Sequence, residues 1–230
     1  MKRLVWCAFF LFFSVVVLAQ DGTALLNAVK TKLDKVRDYQ AHGQMKVDVS
    51  FINAPTSAVT VYYKKPDQFK VKKSDGISLL PKGGVTVNLS SLLAGDDFTI
   101  VPAGSAVVKG VNTKVLKLLP LNDNDDIVLM TLYIDEKTQL IRKNSVTTRQ
   151  SGSYEIELDY GKYAAWGLPD KVVFLFQTKD YKLPKGLTFE YEKGGTKKAE
   201  APKDQKGRVE IAYSSYIINK GVDDQVFQSQ

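Results

Sequence analysis

The chain has 230 residues, 44% of them apolar and 25% charged, the balance of an ordinary globular protein rather than a disordered or fibrous one. Thirty-two Lys and Arg against 25 Asp and Glu give a formal charge of +7; without Lys2 and Arg3 at the N-terminus it is 30 against 25, or +5. That surface suits steering toward anionic headgroups or acidic partners and lacks the concentrated charge of a nucleic-acid binder. One Cys and one His exclude an internal disulfide and a Cys/His zinc cluster, and leave little room for thiol or imidazole catalysis.

Residues 1–19 open with Lys2 and Arg3, continue through an apolar run from Leu4 to Leu18, and end at Val17-Leu18-Ala19 before Gln20 and Asp21. This is the form of a secretory signal peptide cleaved near Ala19, because the run is shorter than the roughly 20 apolar residues that span a bilayer. Cys7 would leave with it, since a lipid-accepting Cys would stand directly after the run and follow a small residue, whereas Trp6 precedes Cys7. The remaining chain, 20–230, is expected to be one exported domain without disulfides.

Asp21 to Gln40 predicts a helix: Leu26, Val29, Leu33 and Val36 recur at steps of three and four, with Lys30, Lys32, Asp34, Lys35 and Arg37 on the opposite side. His42 then falls at the boundary with the first strand. From Gly43 the period changes to two. Met45, Val47, Val49 and Phe51 alternate with polar residues, as do Val59, Val61 and Tyr63. Strand character continues through Gln68 to Lys72 and, after the Asp75-Gly76 turn, Ile77 to Leu80. Asn88 to Gly95, with Leu89, Leu92 and Leu93, suggests a short helical turn.

Further strands are predicted over Phe98–Val101, Val107–Leu119, Ile127–Ile134, Gln139–Arg149, Ser153–Tyr163, Lys171–Thr178, Leu187–Glu192 and Arg208–Ile218. Turns this short join antiparallel neighbours, since a parallel crossover takes a dozen residues or more. Lys193 to Gly207 has no apolar period and reads as a flexible loop. The fold class is therefore mainly β (α+β): one antiparallel sheet of about ten strands with a leading helix, and a sheet that long must curl.

No catalytic constellation emerges. His42 has no identifiable nucleophile to serve. The runs Asp96-Asp97, 122–126 and Asp223-Asp224 fit turns, and the middle one lacks the Gly and the distant Glu of a helix-flanked calcium loop. Gly83-Gly84 and Gly194-Gly195 match no phosphate-binding pattern. The chain is expected to be no enzyme, with no cofactor, no metal and no nucleic acid partner. Alternation nominates an apolar cavity lined by Leu26, Val29, Leu33 and Val36 on the helix and by Val47, Val49, Phe51, Val61, Tyr154, Ile156, Leu158, Phe174 and Phe176 on strands. Composition alone fits a fully packed sandwich core equally well, and Val172 to Phe176 is apolar on both sides, so the concave face stays open.

Several stretches resemble the LolA-like outer-membrane lipoprotein carrier superfamily, which includes LolB and the N-terminal domain of the sigma-E regulator RseB. They are Lys65-Pro66-Asp67-Gln68-Phe69-Lys70-Val71; Val108-Lys109-Gly110-Val111 running into Val115-Leu116-Lys117-Leu118-Leu119-Pro120; Leu132-Tyr133-Ile134-Asp135 with Gln139-Leu140-Ile141-Arg142; and Tyr213 to Phe227 with Asn219-Lys220-Gly221-Val222. The resemblance implies an unclosed half-barrel whose N-terminal helix is a lid over a hydrophobic cavity for acyl chains. It also implies a periplasmic monomer that carries an acylated lipoprotein or lipid between an inner-membrane donor and an outer-membrane acceptor. The alternative is an envelope regulator or scaffold that binds a protein partner through the same half-barrel.

Overall fold

The computed structural model describes residues 13–48, 56–73, 93, 98–121, 126–149, 152–177 and 206–228, the side chains of 13–21, 177 and 206 excepted. Among these residues one α-helix, α1 (Phe13–Leu33), precedes ten strands. These are β1 (Asp38–Asp48), β2 (Ser57–Lys64), β3 (Gln68–Lys73), β4 (Phe98–Val108), β5 (Val111–Pro120), β6 (Ile127–Asp135), β7 (Leu140–Thr148), β8 (Ser153–Asp159), β9 (Lys171–Gln177) and β10 (Lys206–Ile218). All pair antiparallel in one sheet of order β3-β2-β1-β10-β9-β8-β7-β6-β5-β4. The sheet is a meander from β4 to β10, to which β1 joins its own hairpin partners along β10. Among the described residues β3 and β4 are the two edges of the sheet, and the barrel is not closed. No helix among the described residues is long and apolar enough to cross a membrane.

The predicted helix, Asp21 to Gln40, is displaced at both ends: α1 already begins at Phe13, within the apolar run, and ends seven residues early. α1 stops at Leu33, Asp34 and Lys35 form a turn, and β1 begins at Asp38, five residues before Gly43. Val36 is thus not helical, although it is buried at 2% exposure. Tyr39 and Ala41 already follow the period of two that continues through Met45 and Val47. His42 therefore stands within a strand, at a bulge between His42 and Gly43. A Cβ on Gly43 would lie 2.4 Å from the Ala212 carbonyl oxygen, so the β1–β10 pairing needs glycine there.

The predicted strand Val107–Leu119 is instead a hairpin. Lys109 (φ 48°) and Gly110 (φ 80°) both take left-handed backbone, which reverses the chain in two residues between β4 and β5. Gly207, placed in a loop by the sequence, belongs to β10. Val49, Phe51 and the predicted strands Ile77–Leu80 and Leu187–Glu192 lie outside the described residues, as do most of the loop 193–207 and of Asn88–Gly95. Leu93 of the latter is described and belongs to the core.

Curvature follows from lengths. Gly22 of α1 sits against Ile100, Pro102 and Leu116 of β4 and β5, while Leu33 and Val36 share a cleft with Tyr39 of β1, Tyr63 of β2 and Phe69 of β3. From Gly22 to Leu33 the helix rises about 17 Å at 1.5 Å per residue. Eight strand spacings from β4 to β2 measure about 38 Å along the sheet at about 4.8 Å each. One short helix meets both regions because the sheet bends around it.

The crossing from α1 to β1 is held by Asn219, just after β10. Its Oδ1 accepts from the Arg37 amide at 2.7 Å, its Nδ2 donates to the Lys35 carbonyl at 2.8 Å, and its own amide donates to the Asp38 carbonyl at 2.9 Å. Asn tolerates its positive φ of 56° better than most side chains. Asn219→Ala is expected to cost about 1–2 kcal/mol in urea unfolding, with Asn219→Gly recovering only the backbone share of that loss.

Candidate functional site

The concave face is the one α1 covers. Directly opposite residues on antiparallel strands share a side, so register assigns it strand by strand. Val59, Val61 and Tyr63 on β2 face Gly43, Ala41 and Tyr39 on β1, and Ile211 and Val209 on β10 face Val172 and Phe174 on β9. Ile156 and Leu158 on β8 continue the row opposite Phe174 and Val172. The inner side of Val172 to Phe176 is therefore Val172, Phe174 and Phe176. Val173, on the outer side, is still only 1% exposed between its cross-strand neighbours Glu157 and Glu210, whose stems can cover apolar surface while their carboxylates reach water.

Leu26, Val29, Leu33, Val36, Val47, Val61, Tyr154, Ile156, Leu158 and Phe174 all lie in one core cluster, and Phe176 packs against it half-buried. No continuous void separates the helix from the sheet among the described residues: Leu26 and Val29 are 2% exposed and Leu33 9%. The lid is closed directly onto the face it protects. Space remains at the two ends.

At the end holding the β2–β3, β6–β7 and β8–β9 turns, a cleft of about 540 Å³, solvent at its mouth included, is lined by Leu33, Val36, Leu158, Val172 and an aromatic cluster. Tyr39 packs 5.3 Å from Tyr63 and 5.4 Å from Tyr216, centroid to centroid, and Tyr216 packs 5.1 Å from Tyr213 and 4.9 Å from Tyr163. The Tyr216 hydroxyl donates to the Pro169 carbonyl at 2.7 Å. Burial pushes the Tyr39, Tyr213 and Tyr216 phenols well up, so the cluster stays neutral. Trp166, in the 3-10 turn Ala164–Trp166, is 39% exposed among the lining residues. At the opposite end of the strands, Val146, Tyr154 and Phe176 line a second open depression.

Sequence reading missed the aromatic cleft. Its tyrosines come from β1, β2, β10 and the β8–β9 connection, and nothing local marks them as neighbours. Tyr39 was hidden in the mistaken end of the helix.

Polar fastenings run around the lid. Lys32 Nζ donates to the Thr138 carbonyl in the β6–β7 turn, and Lys65 Nζ meets Asp34 Oδ1 at 2.6 Å. The β6–β7 turn is itself organised by Asp135, whose carboxylate accepts from Thr138 Oγ1 at 2.7 Å, the Lys137 amide at 3.1 Å and Arg142 at 3.1 Å. Burial pushes the Asp135 carboxyl up, and these hydrogen bonds outweigh it to hold the group below the usual carboxylate range.

The outer face carries charge and the lone imidazole. His42 lies 3.2 Å from Gln40 Nε2 and 3.3 Å from Thr60 Oγ1, both side chains of the same sheet, and among the described residues no carboxylate orients the ring. Lys109 reaches Glu157 and Asp159, Lys171 reaches Asp159 and Glu210, and Arg208 meets Glu210. Asp223 accepts from the Gln225 amide, as Asp does in turns, and Asp224 pairs with Lys64. Asp96, Asp97 and 122–125 lie outside the described residues. Among the described residues no group of three or more His, Cys, Asp or Glu could hold a metal ion.

No family model matches the sequence, and no curated protein matches it. Solved structures do share the fold. A domain assigned to outer membrane lipoprotein sorting from Vibrio parahaemolyticus aligns over 91% of this chain and 97% of its own, with a TM-score of 0.56 at 11% identity. A DUF1329 family protein from Desulfovibrio piger aligns over 90% and 97%, with a TM-score of 0.54 at 10% identity. A LolA superfamily protein from Nitrosomonas europaea aligns over 88% and 97%, with a TM-score of 0.53 at 9% identity. The fold is LolA-like.

The depressed carboxyl of Asp135 sets a pH dependence for the turn that holds the lid. Its stabilisation is fully present above the unfolded carboxylate pKa of about 3.9 and is lost as pH falls through the lower folded value. In urea unfolding, the stability difference between wild type and Asp135→Asn is expected to be constant above about pH 5 and to shrink steadily below about pH 4.

Proposed function

We propose that this protein is a periplasmic carrier that shields the acyl chains of lipoproteins, or of a related lipid, on the inner face of its half-barrel while they pass toward the outer membrane. The leader 1–19 is removed on export, and 20–230 is the working domain. Cleavage after Ala19 falls inside α1, leaving Gln20 to Leu33 as the lid. No chemical step is needed, and the protein is not an enzyme.

The observation that carries this reading is that an apolar concavity in a LolA-like fold is capped by a single helix whose contribution is of the same size as a guest's. Burying Leu26, Val29 and Leu33 contributes on the order of 5–9 kcal/mol at about 1.5–3 kcal/mol each. Ten methylenes of an acyl chain contribute on the order of 8 kcal/mol at about 0.8 kcal/mol each. Lid and tail can therefore exchange on the same surface without either winning outright. A carrier has to load and unload, and near balance is the condition for both.

A second reading has one feature of its own. Among the described residues β4 is an edge strand, with residues 101–105 exposed and Val107 67% exposed. A protein segment could add to that edge as a further strand, which suits a regulator or scaffold. Crosslinking of the exported protein to one protein partner, undisturbed by delipidation, would favour it.

Trp166 provides the test, being the one tryptophan outside the leader. Exported protein titrated with mid-chain brominated fatty acid is expected to show saturable Trp166 quenching, and native mass spectrometry to show bound acyl ligand. Unquenched Trp166 together with empty protein would refute the carrier reading.

A further inference from the structure

The inner face has one side chain that does not fit an apolar wall. Asn144 lies on β7 directly opposite Leu132 of β6 and Ile156 of β8, which places it on the concave side, and all three are 0% exposed. Two residues along, Val146 belongs to the same core. Neither Oδ1 nor Nδ2 of Asn144 meets a hydrogen-bond partner in the protein.

Among the described residues Asn144 is the one buried side chain with both of its polar atoms unpaired: Arg142, whose Nε is buried without a partner, bonds Asp135 through Nη2, and Tyr63 packs its ring on Tyr39. Thr113 donates to the Ala106 carbonyl, Thr148 to the Gly152 carbonyl, Asp135 is bonded by Thr138 and Arg142, and Ser57 is also partnered. A buried amide with neither atom paired is destabilising compared with a Leu or Val of similar size. On a face otherwise built from apolar residues, Asn144 is a feature that stability does not explain.

We propose that Asn144 is the polar anchor of the guest site, taking the carbonyl of an acyl linkage when an acyl chain replaces the lid on the inner face. The proposal rests on the carrier reading and deepens it. Nδ2 donates to the acyl carbonyl oxygen, and Oδ1 accepts from the N–H of an amide linkage or the O–H of a carboxylic acid. Asn144 stands four residues from either end of β7, about 13 Å from each rim. The linkage is therefore drawn into the concavity, and tail and linkage are recognised together. An ether-linked chain of the same length gains the same apolar burial but carries its oxygen in line with the chain, with no carbonyl projecting toward Nδ2, so the site discriminates by the carbonyl.

The test compares monolauroylglycerol with dodecylglycerol ether, which differ in that carbonyl, on the exported protein and on Asn144→Leu. Wild type is expected to bind the ester about tenfold more tightly, the scale of one hydrogen bond to a buried amide. In Asn144→Leu the ratio should fall to near one with ether binding retained, and the empty variant should be at least as stable as wild type. Equal binding of both probes by wild type, or an ester preference that survives in Asn144→Leu or Asn144→Val, overturns the anchor while leaving the carrier intact. A marked loss of stability in both variants would mean that the amide holds a structural water only, and also overturns it. If wild type binds neither probe, the carrier reading fails with it.

Discussion

A ten-stranded sheet with one strongly apolar side must keep that side from water, and most of this molecule follows from how it does so. Curling brings the side chains of distant strands together, as the tyrosines of β1, β2 and β10 show, yet the curl stops short of closure, with β3 and β4 as its edges among the described residues. A closed eight-stranded barrel fills its own interior with side chains. An open one needs a cover, and here the cover is α1. The helix is too short to span a flat sheet of this width, so helix length and sheet curvature constrain each other.

The same geometry sets the lid's character. Its apolar stripe is short, and it is tied down at its C-terminal end by Asn219, Lys65 and the Asp135-organised turn. Those ties are polar and lie at the rim, whereas the contact that shields the concavity is apolar and non-directional. A guest tail can substitute for the second kind of contact without disturbing the first. In the proposed carrier the helix would yield its seat while its end stays anchored.

Much of the architecture was legible in the sequence because alternation of apolar and polar residues survives in nearly every strand. Met45 and Val47, Val59 to Tyr63, and Tyr154 to Leu158 face the side their spacing predicts. The helix end was misread because Val36, a buried turn residue, falls at a helical step from Leu33 by coincidence, and a period of 3.6 accepted it. The β4–β5 hairpin was missed because Lys109-Gly110 is a weaker turn signal than Asn-Gly, and the strands on either side read as one apolar run. Tyr39, Tyr63, Tyr213 and Tyr216 become a cleft only after β1 pairs with β10, a contact between the two ends of the chain that no local pattern records. Asn144 looked like any polar residue of an alternating strand, and its burial depends on which face the sheet turns inward.

The central claim is that lid helix and acyl tail compete for one apolar surface. Hydrogen exchange of the exported protein, with and without saturating lauric acid, measures this directly. The account predicts faster exchange of the α1 amides from Gly22 to Leu33 in the loaded protein, with β7 to β10 as protected as before. Unchanged or slower exchange in α1 on loading would contradict it, because the tail would then be held somewhere the helix does not need to leave.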